Sequence, residues 1–221
     1  MKRVYLSPSS QHANLGIIPG YVEEEVCNRI ADSCQMDLER HGVIVGRNNP
    51  DETYREHVRK GNLFGPDAYI CIHSNAASAI TASGLRAGCY EPGDPDRPST
   101  ILNRILFNQL APLTPSEHDR ITTYRFYEVV NAVAPVSYLE LSFHSKPEDA
   151  TWLNTNTVSI GEAIARGILE FLGIDYIELS QGPLYRVQVG AFRNQAYAEK
   201  LKARLIAEGY QAIIKTEGSE K

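Results

Sequence analysis

Residues 68–76 read Ala-Tyr-Ile-Cys-Ile-His-Ser-Asn-Ala. The apolar run ahead of His73 has the length and composition of a buried strand, which puts the imidazole at the strand's exit. Open α/β sheets receive their ligands at that edge. Glu23 starts the series Glu23, Cys27, Ile30 and Cys34, which falls on one face of a segment with helical periodicity. A carboxylate on an apolar helix face must be paired or bind a cation. Glu140 closes the run Val136-Ser137-Tyr138-Leu139 and falls at a second strand exit. A histidine and a carboxylate with one further nitrogen or oxygen donor make a three-ligand zinc site with one open position, the catalytic pattern. His12, in the polar loop after the first strand, is the third donor expected at this edge. Glu140, outside the metal's ligands, is placed to take a proton from water. His144 would share the face of Glu140 if that strand continues, and with Asn75 it is a candidate for substrate contact. Glu24 and Glu25 are accounted for by the positive end of the helix dipole, and His41, His57 and His118 read as surface groups.

These positions need a scaffold that brings strand exits to one rim. Short strands are expected at residues 3–6, 43–45, 69–73, 85–90 and 136–141. Helices are expected at 22–40, 53–60, 99–110 and 157–172, the last ended by Gly173. Strands alternating with helices imply an α/β fold, a mostly parallel twisted sheet with helices on both faces. The main domain should close near residue 174, with 175–183 as linker. Residues 184–221 then form a small βαβ-like unit, with Asn194 capping a helix between strands at 185–189 and 210–214.

Composition narrows the classes. The chain has 221 residues, 43% hydrophobic and 22% charged, with a formal net charge of -5 and no long basic run, so nucleic acid is not an expected partner. The apolar run near Met1 is too short for a signal peptide or a membrane span, so synthesis in the cytoplasm is expected. Of the four cysteines none forms a C-x-x-C pair. Cys27 and Cys34 on one helix lie roughly 10 Å apart, too far for a disulfide. All four read as buried thiols. There is no G-x-S-x-G, no phosphate-cradling glycine loop and no H-E-x-x-H.

The motifs together resemble a known family. Residues 23–31 resemble the E-K-x-x-x-x-x-I-A helix of the zinc-dependent N-acetylmuramoyl-L-alanine amidases (amidase type 3 group). Residues 67–76 resemble their A-D-x-x-x-S-I-H-x-N-A strand, residues 139–143 their V-E-x-x-F segment, and Pro147-Glu148-Asp149 their N-P-E-D. In that family the first strand usually ends in D-P-G-H-G-G, whose histidine binds zinc. Here the stretch is Ser7-Pro8-Ser9-Ser10-Gln11-His12, with Ser10 in the histidine slot. This S-P-S-x-Q opening looks like a variant branch found in sporulating and gut bacteria and in phage lysins. Residues 185–192 resemble one half-repeat of sporulation-related (SPOR) peptidoglycan-binding domains. The resemblance implies peptidoglycan as substrate and hydrolysis of the amide between N-acetylmuramic acid and L-alanine. It implies Zn2+ held by His12, Glu23 and His73, with Glu140 as general base. It further implies action on the cell wall after lysis or holin-type release, with self-association possible through the half-repeat. The rival expectations are a non-catalytic peptidoglycan-binding protein with a degenerate amidase fold, and a zinc peptidase of stem peptides.

Overall fold

The computed structural model describes residues 1–78, 82–91, 93–116, 118–178, 188–207, 210 and 212–215. The chain divides into two units, Met1–Ile177 and Glu178–Lys221. In the first, β1 (Arg3–Pro8), α1 (Glu23–Arg40), β2 (Ile44–Arg47), α2 (Tyr54–Phe64) and β3 (Ala68–Asn75) follow one another. Then come β4 (Arg86–Cys89), α3 (Pro98–Leu110), β5 (Arg120–Thr123), α4 (Tyr127–Asn131), β6 (Val136–Phe143), α5 (Pro147–Thr155) and α6 (Thr157–Leu172). The strands form one six-stranded sheet in the order β2-β1-β3-β6-β4-β5. All neighbours are parallel except β4 and β6, which run antiparallel. The expected mostly parallel sheet is observed, with β5, α4 and α5 in addition.

Strand alternation divides the core in two. Val4, Leu6, Ala68, Ile70, Ile72, Ala87, Leu139 and Leu141 face the side covered by α1, α3 and α6. Tyr5, Tyr69, Cys71, Val136 and Tyr138 face the other side, with Phe64 of α2 and Val129 of α4. The apolar stripe of α1 is buried as its spacing predicts: Val26, Cys27, Ile30, Ala31, Cys34 and Leu38 are all enclosed. Gly161 lets α6 lie close on α1, since a Cβ there would stand 2.5 Å from the Ile30 carbonyl oxygen. Gly173 ends α6 at φ 70°, the left-handed cap that glycine adopts freely. All four cysteines are free and buried. No described helix is long and apolar enough to cross a membrane.

The second unit contains α7 (Gln195–Ala207). Asn194 caps it, its side-chain oxygen accepting the Ala196 amide at 2.9 Å. Of the flanking strands expected there, residues 185–187 and 211 lie outside the described residues. Gln188, Val189, Tyr210 and residues 212–214 are not in strand.

Candidate active site

Alternation carries the series Tyr69, Cys71, His73 along β3 and the series Val136, Tyr138, Glu140 along β6. His73 and Glu140 are register partners on these adjacent parallel strands, at the carboxyl rim of the sheet. The His73 ring stacks on Tyr138, centroids 4.7 Å apart and planes 14° off parallel. Rings continue outward: Tyr138 packs on Phe126 at 4.8 Å and Phe126 stacks on Tyr124 at 4.7 Å.

The loop before α1 brings Glu23 to this rim. The Ser9 amide bonds the Ile72 carbonyl at 2.9 Å and the Ile17 amide the His144 carbonyl at 2.9 Å, so the loop is pinned to both strand ends. It turns back at Gly16, where a Cβ would lie 2.6 Å from the Tyr21 ring. The Glu23 amide then bonds the Asn14 carbonyl at 2.9 Å as α1 begins. The outcome is a buried pair: His73 Nδ1 stands 3.0 Å from Glu23 Oε1, with the two residues 7% and 1% exposed. Asn14 Nδ2 donates to Glu23 Oε2 at 2.8 Å. Burial opposes ionisation of Glu23, yet the hydrogen bonds from His73, Asn14 and Ser9 outweigh it and hold the carboxyl below its usual range. Burial likewise opposes a charged His73, and here the Glu23 hydrogen bond and the Glu140 charge win, raising its pKa.

Glu140 has the opposite character. Burial pushes its carboxyl up to about 7; the His73 charge pulls it down and Glu23 adds to the rise. Its Oε2 is enclosed and has no hydrogen-bond partner among the described residues.

Three expected site residues stand elsewhere. His12 does not join the pair: its Nδ1 contacts Glu24 Oε2 and its side chain is 58% exposed. The turn at Ser9–His12, in which the Gln11 amide bonds Ser9 Oγ at 3.2 Å, delivers it to the polar side of α1 instead. His144 does not share the face of Glu140. β6 ends at Phe143, and a register shift between His73 and Asn75 turns His144 behind the rim. There Ser74 Oγ lies 2.8 Å from His144 Nδ1 and accepts from the Tyr21 hydroxyl at 2.9 Å. Burial lowers the His144 pKa against the Glu23 charge and a Ser74 hydrogen bond, which favours the neutral ring. Asn75 caps the turn, its Oδ1 accepting the Ala76 amide at 2.8 Å. Ser9, Asn14, Tyr21 and Ser74, which hold Glu23 and the β3 exit, were not among the expected site residues. Their one sequence signal is the polar loop itself.

As a donor set, the pair fits two positions of a divalent ion. His73 Nδ1 and Glu23 Oε1, 3.0 Å apart, offer one nitrogen and one oxygen of the kinds that zinc takes. The orphaned Glu140 oxygen nearby suits the same charge. The third protein donor is missing: no group of three His, Cys, Asp or Glu side chains converges among the described residues.

Comparison with known proteins agrees with this architecture. The family described as N-acetylmuramoyl-L-alanine amidase matches residues 4–170, and the SPOR domain matches residues 181–221. The N-acetylmuramoyl-L-alanine amidase CwlM of Bacillus licheniformis is 26% identical, over 97% of this chain and 85% of that protein. A sporulation-specific N-acetylmuramoyl-L-alanine amidase of Bacillus subtilis (strain 168) is 22% identical, over 97% of this chain and 84% of that one. Among solved structures, the amidase AmiC2 of Nostoc punctiforme superposes with a TM-score of 0.69 at 23% identity, covering 78% of this chain and 97% of that one. An N-acetylmuramoyl-L-alanine amidase from Clostridium difficile 630 superposes at 0.70 and 18% identity, covering 82% and 98%. At these identities the solved structures establish the fold.

Proposed function

The chain belongs to the N-acetylmuramoyl-L-alanine amidase family, and on that premise we propose that it hydrolyses the amide between N-acetylmuramic acid and L-alanine in peptidoglycan, with Glu140 as the proton carrier and Glu23 and His73 as the holders of a zinc ion. The observation that carries the reading is the enclosed Glu140 Oε2, unpartnered among the described residues, beside the Glu23–His73 pair at the sheet rim.

The residues divide the work. Zinc, when bound, supplies Lewis acidity to the scissile amide. Glu23 and His73 are presented for it without further ordering, because Asn14 fixes the second Glu23 oxygen and Tyr138 fixes the plane of the imidazole. Glu140 accepts the proton of the attacking water and returns it to the leaving amine. Burial favours its protonated form, which suits the return of that proton to the amine. The Tyr21–Ser74–His144 chain holds the β3 exit from behind.

Replacing Glu140 by Gln keeps the shape and removes the proton carrier. Release of stem peptides bearing a new N-terminal L-alanine from purified cell walls should fall by about 100- to 10,000-fold, while metal content measured by atomic emission stays at the wild-type level. Undiminished release by Glu140→Gln refutes the role. The engagement of His12 by Glu24 favours one rival, a wall-binding protein without activity; a wild type that binds walls and releases no peptide in added zinc would establish it.

A further inference from the structure

The sheet register extends the site beyond Glu140. His73 pairs with Glu140, Glu140 with Arg86 on β4, and Arg86 with Arg120 on β5. Residues paired across adjacent strands share a face, so an imidazole, a carboxylate and two guanidinium groups form one row across the sheet. Tyr124 lies over the same corner. Its ring covers Gly88, where a Cβ would stand 2.2 Å from Tyr124 Cδ2, so only glycine lets the ring lie flat. Glu140, Arg86 and Arg120 are the charges that act on its hydroxyl.

The cations here are unspent. Arg86 is buried and, among the described residues, donates only to main-chain carbonyls, those of Ser83, Gly84, Leu85 and His118 at 2.8–3.2 Å. These bonds hold the guanidinium in place, over the Phe143 ring at 5.3 Å and within reach of the Asp119 charge. Neither Arg86 nor Arg120 forms an ion pair among the described residues. The neighbouring Asp119 is committed to the Leu85 amide at 2.6 Å and the Thr114 hydroxyl at 2.7 Å. Arg120 is exposed, so its end of the row is open to a ligand. Arg86 and Arg120 repel each other, and at the exposed Arg120 end an added anion relieves that repulsion.

We propose that Arg120, backed by Arg86 and flanked by Tyr124, is a carboxylate subsite that selects an acidic stem peptide. The assignment rests on the amidase reading for its substrate. Two strand spacings put Arg120 about 10 Å from Glu140. In an extended peptide, the carboxyl of the second stem residue lies about 7 Å beyond the scissile nitrogen, within reach of the long Arg120 side chain. Glu140, inside the row, repels that carboxylate and Arg120, at its outer end, attracts it, so the row sets the direction in which the peptide lies. A guanidinium suits a planar carboxylate because it donates two parallel bonds.

The test uses the full chain and two soluble probes, N-acetylmuramoyl-L-alanyl-D-glutamate with its γ-carboxyl capped as the methylamide, and the same compound with its glutamyl α-carboxyl amidated as well. Titration calorimetry with Glu140→Gln protein measures binding without turnover. The acid should bind at least about tenfold more tightly than the amide. Adding Arg120→Gln should erase that preference, and Arg120→Lys should restore part of it. Equal affinity for the two probes, or a preference that survives Arg120→Gln, overturns the subsite. Wild-type protein that shows the preference but cuts neither probe upholds the subsite and refutes the hydrolase reading.

Discussion

At the residue scale, Glu23 and Glu24 are neighbours in sequence with different fates. Glu23 lies on the apolar face of α1, is enclosed, and bonds His73; Glu24 lies on the polar face and takes His12. A one-residue step of about 100° around a helix produces that division. On the proposed zinc reading it also predicts which histidine holds the ion. Glu23→Ala and His73→Ala should each lower zinc content to near zero, and His12→Ala should leave it unchanged. Metal analysis after dialysis checks this, and zinc loss in His12→Ala would show that residues 9–16 rearrange on binding. The burial of Glu23 and the strand-end positions of His73 and Glu140 were legible in sequence because both follow from local periodicity. Arg86, Arg120 and Tyr124 were not, because their meeting depends on pairing between β6, β4 and β5, which no local pattern encodes. His144 was misplaced by a register shift, a single-residue event that reverses a side chain's face.

At the element scale, the site depends on how α1 is seated. Its first turn carries Glu23, and α6 holds its far face through the close approach at Gly161. A methyl there would meet the Ile30 carbonyl oxygen at 2.5 Å and Ser33 Cβ at 2.6 Å, contacts that neither helix can relieve without moving. Gly161→Ala should therefore cost about 1–3 kcal/mol and lower the Tm by about 3 °C per kcal/mol, read by thermal denaturation. The long helices α1, α3 and α6 could be read directly from their stripes. The short β5 and α4 could not, since four or five residues carry too little periodicity to stand out from the irregular stretch around them. α5 did leave a mark, Pro147 at its first turn followed by Glu148 and Asp149, a helix-start signal that the family motif overshadowed.

At the scale of the whole molecule, the first unit encloses its two apolar layers within Met1–Ile177. The division of the fold into α/β layers followed from the alternation of elements along the chain. The antiparallel β4 did not, since strand direction is decided by connections and not by composition. The thiols are spread through this unit: Cys27 and Cys34 on α1, Cys71 on β3 and Cys89 on β4, all enclosed and all with pKa values raised by burial. Protonated and shielded, they resist alkylation while the fold is closed. Each thus acts as a silent reporter of local breathing, with no engineered label required. Iodoacetamide should modify none in the native protein and all four in urea, counted by intact-mass spectrometry. The order in which they yield in mild denaturant would chart whether the rim helix or the sheet interior lets go first.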